Sequence, residues 1–151
     1  MTLEDFNVAD YPPGPKGLPD GPEGFVYVLC WVNGGAEIPF YVGQTNRLLG
    51  RMNDYRLANF TACTDFCVGE AIKHLRSKNY QIRVRYNPSP DPPRQEKVII
   101  RRLLICGVWL VNCLPRYEYR TDSEKDERLA VQRFCDMFTE KTKSGEFYPQ
   151  F

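Results

Sequence analysis

A chain of 151 residues and 17.5 kDa is the size of one domain, long enough to bury roughly two-thirds of its unfolded surface. With 42% hydrophobic and 13% aromatic residues it is not a disordered chain. Twenty Lys and Arg against nineteen Asp and Glu leave a formal charge of +1, which excludes binding to nucleic acid by net charge alone and leaves only local basic patches.

Residues 1–22 carry Pro12, Pro13, Gly14, Pro15, Gly17, Pro19, Gly21 and Pro22, and read as an irregular arm. Residues 23–151 then form a single domain. The run from Gly24 to Val32 is apolar on both faces, the pattern of a central strand covered on two sides. Asn33, Gly34 and Gly35 supply a hairpin turn. A second strand from Ile38 to Gly43 contains Pro39, which suits an edge.

A helix is expected over 46–58, with Leu48, Leu49, Met52 and Tyr55 inward and Thr45 or Asn46 as its N-cap. A second covers 65–78, with Phe66, Ala71, Ile72 and Leu75 inward, and His74 facing solvent. Strand three, 80–87, alternates Ile82, Val84 and Tyr86 against Arg83 and Arg85, giving it one basic face. Asp91 caps a helix that starts at Pro92 and runs to about residue 105. After Val108 to Val111, a closing helix over 122–141 has Leu129, Ala130, Phe134, Met137 and Phe138 as its stripe. The expected fold is α+β: a small three-stranded, mainly antiparallel sheet with a central first strand, flanked by helices.

Six cysteines include one four-residue pair, Cys63 and Cys67, but no second pair or nearby His completes a structural zinc site. Cys30 and Cys106 sit in apolar runs, as small hydrophobes do. A reduced, intracellular protein of the cytoplasm or nucleus is expected, with no membrane span and no membrane partner.

Glu96 is the anomaly. Ile99, Ile100, Leu103 and Leu104 follow it at i+3, i+4, i+7 and i+8, so the spacing puts a carboxylate on the apolar face of its helix. Such a charge pairs, shifts its pKa or binds a metal. Arg51 flanks the apolar face of its own helix, where a guanidinium reaches an anion better than an ammonium does.

The order Phe25-Val26-Tyr27, then Tyr41-Val42-Gly43-Gln44-Thr45 with Leu48 and Arg51, resembles the GIY-YIG nuclease superfamily. The second tripeptide and its extension match at Tyr41, Gly43, Thr45, Leu48 and Arg51 without a gap. The first departs, with Phe25 at the usual glycine, Gly24 beside it, and Val26 for isoleucine. The family's later Glu falls on Glu96 and its Asn on Asn112, so the resemblance covers about residues 24–112.

This resemblance implies a metal-dependent DNA endonuclease leaving 5′-phosphate and 3′-hydroxyl ends. Tyr27 then abstracts or relays the proton of the attacking water, which requires something to lower its ordinary pKa of about 10. Tyr41 orients, Arg51 clamps the scissile phosphate, Asn112 supports the site through strand backbone, and Glu96 is the single ligand of Mg²⁺, with Mn²⁺ substituting. Gly43 leaves room for a close approach. Arg47, Arg83 and Arg85 are expected on the DNA backbone. DNA is the expected partner, with a second protein supplying specificity and no organic cofactor. The alternative is a nuclease-like module that binds nucleic acid or protein without cutting.

Overall fold

The structure is a computed structural model that describes residues 2–14, 17–114 and 123–145, without the side chains of residues 20–22. Pro15 of the proline-rich arm, the start of the expected closing helix at Asp122, and residues 115–121 and 146–151 lie outside it. A 3-10 turn at Leu3–Asp5 leads into β1 (Asn7–Tyr11), β2 (Asp20–Asn33), β3 (Ala36–Arg47), α1 (Leu48–Leu57), α2 (Cys63–Ser77), β4 (Ile82–Pro88) and α3 (Pro92–Ile105). A second 3-10 turn, Val111–Cys113, precedes α4 (Glu124–Lys143).

The sheet has four strands in the order β1-β4-β2-β3, every neighbouring pair antiparallel. This corrects the expected three-stranded sheet. The additional strand comes from the segment read as irregular: Asn7 pairs with Tyr86, and the ladder continues to Tyr11 opposite Ile82. Asn7 and Asp10 break its apolar pattern and Val8 is 50% exposed, so β1 carries little strand signal of its own. It forms because β4 would otherwise present an open edge.

Two cores lie on the two faces of the sheet. Tyr27, Leu29, Trp31, Phe40, Tyr41, Ile82 and Val84 face α1, α2 and α4. Val26, Val28, Cys30 and Val42 face Ile99 and Leu103 of α3, together with Val108 and Leu110. The hairpin between β2 and β3 turns at Gly34 and Gly35, with φ of +57 and +93, a region open to glycine at little cost. The β2–β3 register slips where Leu29 opposes Tyr41 and Cys30 opposes Pro39. Phe40 is the inserted residue. The bulge puts two consecutive aromatics, Phe40 and Tyr41, on one face of the sheet.

α4 buries Val131, Cys135, Phe138, Thr139 and Thr142, while Leu129 and Met137 are 38% and 48% exposed. The expected stripe was therefore rotated. Two threonines sit inside because their hydroxyls donate to carbonyls four residues back, Thr139 to Cys135 at 2.9 Å and Thr142 to Phe138 at 2.8 Å. His74 does not face solvent. Its Nε2 meets Asp136 of α4 at 2.7 Å, and beside it the buried Glu70 of α2 pairs with Arg128 at 3.4 Å.

Burial sets an alkaline limit on this fold. It pushes the Cys30 and Cys135 thiols and the Tyr27 and Tyr55 phenols well above their ordinary ranges. Their neutral forms are favoured on folding, so this contribution is complete below the unfolded pKa values and is lost as pH rises toward the folded ones. This contribution is flat to about pH 8.5, then falls by up to about 1.4 kcal/mol per pH unit for each group that ionises in the unfolded chain. Urea denaturation at a series of pH values checks this, and a midpoint unchanged to about pH 11 contradicts it.

Candidate functional site

The site grows from the β2–β3 pair. Tyr27 lies directly opposite Gly43, and a Cβ at Gly43 would overlap the Tyr27 ring and hydroxyl. The glycine is there for space. Tyr41, turned inward beside the Phe40 bulge, stands 6.3 Å from the Tyr27 ring, and Tyr55 of α1 lies 6.5 and 6.1 Å from Tyr27 and Tyr41. The Tyr27 and Tyr55 hydroxyls are hydrogen-bonded to each other in the core. Gly69 secures Tyr55 from behind, because a Cβ there would strike the Tyr55 carbonyl and Ala58; α2 therefore packs against the end of α1.

Arg51 roofs this aromatic floor. Its guanidinium lies 5.2 Å from the Tyr55 ring centroid, contacts the Tyr27 hydroxyl and pairs with Asp65 at 2.9 Å and Asp54 at 3.8 Å. Burial works against its charge, but the Tyr55 and Tyr27 hydroxyls and the Asp65 carboxylate outweigh it and raise its pKa. At 27% exposure the side chain is anchored and still partly open to solvent. Asp65 sits in the first turn of α2, where the helix dipole favours a carboxylate.

Tyr27 is buried in its neutral form. Burial, then the nearby Tyr41, raise its pKa above the ordinary tyrosine range, and the Tyr55 and Arg51 contacts reverse only part of this. It stays protonated at neutral pH, so its hydroxyl works as a hydrogen-bonding group. Asn112, in the 3-10 turn after α3, donates through Nδ2 to the Val42 carbonyl at 2.7 Å and accepts from the Val42 amide at 3.0 Å. It thereby completes the outer edge of β3 between Tyr41 and Gly43. Thr45 does not cap α1: β3 runs on through Arg47, and the Thr45 hydroxyl accepts from the Arg47 amide at 3.0 Å.

Comparison with protein-family models, curated proteins and solved structures finds no match.

Tyr27, Tyr41 and Arg51 are together, and Asn112 braces the strand that carries Tyr41. Glu96 stands apart. It rides on α3, which covers the opposite face of the sheet from α1. The two helices start at the same end of the strands: Pro92 abuts Gly24, while Phe25 pairs with Thr45 just before α1. Glu96 is half-buried on the shoulder of a narrow stripe in which Ile99 and Leu103 are buried and Leu104 is 43% exposed. The expectation of a core-facing charge is corrected accordingly. Among the described residues no group of three or more His, Cys, Asp or Glu is placed to hold a metal. A single carboxylate is enough for Mg²⁺, which keeps several waters and takes other oxygens from a phosphate.

The basic residues assigned to DNA are otherwise engaged. On β4, Arg83 reaches Glu37 at 2.8 Å, and Arg85 grips the same carboxylate with two bonds of 2.6 and 2.7 Å. The Arg85 bonds, then Arg83, hold the Glu37 carboxyl below its usual range against the opposing effect of burial. Arg47, 64% exposed, pairs with Asp54 at 3.5 Å. Sequence reasoning missed Asp65, Asp54 and Glu37, whose only signal was an acid in a chain of balanced charge, and it placed Tyr55 as plain core. All six cysteines are free, and among the described residues no helix is long and apolar enough to cross a membrane.

Proposed function

We propose that this protein is a metal-dependent DNA endonuclease in which Arg51 meets the scissile phosphate. The observation that carries the reading is the placing of Arg51: fixed by Tyr27 and Tyr55, charged, and still partly exposed. A guanidinium held that way can shift its hydrogen bonds from Asp65 to the oxygens of a phosphodiester, where charge grows during displacement. Tyr27 is a positioning residue: its neutral hydroxyl, bonded to Tyr55, sets the height of Arg51. Tyr41 and the Asn112-braced strand fix the wall beside it. A divalent cation held by Glu96 would stabilise charge on the phosphate and on the departing 3′ oxygen. The GIY-YIG-like order of these residues along the chain supports the same reading, with 5′-phosphate and 3′-hydroxyl products.

The second reading is a nuclease-like module that binds nucleic acid without cutting it. Two observations favour it: Tyr27 is buried and held protonated, and α3 lies across the sheet from Arg51. Glu96→Gln separates the two. In the nuclease reading, cleavage in Mg²⁺ or Mn²⁺ is abolished by chelator and falls by at least about 10²-fold in the variant, with DNA affinity in chelator unchanged. Equal cleavage by Glu96→Gln and wild type removes Glu96 from the metal site.

A further inference from the structure

Several arginines have a carboxylate partner: Arg51 has Asp65, Arg83 and Arg85 share Glu37, and Arg128 has Glu70. Arg56 and Arg76 differ. Among the described residues neither has a carboxylate oxygen within the 4.0 Å of an ion pair, and both are exposed. They come from different helices, α1 and α2, yet line one cleft of about 580 Å³ with Tyr11, Pro12, Leu49 and Asn53. Leu49, Asn53 and Arg56 are spaced i, i+4 and i+7, so one face of α1 forms its wall. Tyr11, the last residue of β1, is buried and lies 5.8 Å beneath the Arg76 guanidinium. A ring face at that range attracts a cation and restricts it without cancelling its charge.

We propose that this cleft is a second phosphodiester site, which holds the backbone of a nucleic-acid strand on the flank of α1 away from Arg51. Two arginines lining one cleft without a carboxylate in ion-pair range suit an anion with several oxygens. The cleft volume is in the range of sites that enclose a small ligand, and Leu49 and Pro12 offer apolar wall to a sugar or base. Arg51 and Arg56 project from different sides of a helix only about 10–12 Å across. A strand crossing α1 therefore spans both. The inference deepens the DNA reading by naming where the strand goes, and it replaces Arg83 and Arg85, whose charge Glu37 already balances. It also explains β1, since that edge strand brings Tyr11 under Arg76.

The test is fluorescence anisotropy with labelled single-stranded DNA, duplex DNA and RNA of one sequence, in chelator, over a range of salt. The proteins are wild type, Arg56→Ala/Arg76→Ala, and a control that removes equal charge from α3, Lys97→Ala/Arg101→Ala. Circular dichroism confirms that each is folded. The cleft variant binds at least about 10-fold more weakly, and its log K against log salt slope shrinks by roughly 1.4–1.8, the value for two lost phosphate contacts. The control keeps the wild-type slope. An unchanged slope in the cleft variant, an equal loss in the control, or no wild-type binding to any of the three probes overturns the inference. Binding through the cleft by a wild type that never cleaves sinks the nuclease reading and leaves this one standing.

Discussion

Under the proposed nuclease function, Arg51→Ala is expected to lower the rate of DNA cleavage by about 10²–10³-fold while the protein remains folded. The size follows from where the guanidinium sits. Its inner side is fixed by the Tyr55 ring and the Tyr27 hydroxyl, so little reorganisation is needed when charge develops on a phosphate at its outer side. The loss falls on kcat rather than KM, because the interaction strengthens as that charge grows. Arg51→Lys recovers little, since an ammonium makes neither a planar stack on Tyr55 nor a bidentate contact. The fold tolerates the change because both partners left behind, Asp65 and Asp54, keep some access to water, at 19% and 33% exposure, and can be solvated there. Single-turnover cleavage beside a urea melt separates the two effects. A large drop in stability with undiminished cleavage by the folded fraction contradicts this role for Arg51.

Gly43→Ala is expected to have a large structural effect for a single methyl group. In an ordinary strand this change is favourable by several tenths of a kcal/mol through chain entropy. Here the sign reverses, because the new Cβ would occupy the space of the Tyr27 ring and hydroxyl. Tyr27 cannot step aside: it is fully buried and packed against Tyr41 and Tyr55. Overpacking of this kind costs about 1–3 kcal/mol or more, and any relief moves Tyr27 off Arg51. The double variant Gly43→Ala/Tyr27→Ala supplies the check, since the cost of the alanine at 43 largely disappears once the ring is gone. Equal costs in both backgrounds would mean that the clash with Tyr27 is not the cause.

The candidate site was legible in the sequence to the extent that it is local. The spacing Tyr41, Gly43, Leu48 and Arg51 spans one strand and one helix, so the chain itself fixes the geometry. Asn112 was legible by resemblance, and its work on the Val42 backbone was the reading already given for it. Glu96 shows where periodicity stops being informative. A helical stripe tells which side of α3 faces the sheet, but not that only Ile99 and Leu103 are buried by it and that α3 lies across the sheet from α1. Arg83 and Arg85 alternated correctly onto one face of β4. Their partner Glu37 arrives from two strands away, a contact set by strand order, which no local pattern encodes. The strand order also created β1: its pairing depends on the open edge of β4 more than on its own side chains. In α4, burial of Thr139 and Thr142 inverted the polarity on which the stripe was drawn.

The central claim is hydrolysis at the Arg51 site, and incubation of the purified wild-type protein with supercoiled, linear and branched DNA in Mg²⁺ tests it most directly. The account predicts nicked or shortened products whose new ends carry a 5′ phosphate, with none formed in chelator. DNA that is bound by folded protein and remains intact in all three forms, with Mg²⁺ or with Mn²⁺, contradicts it.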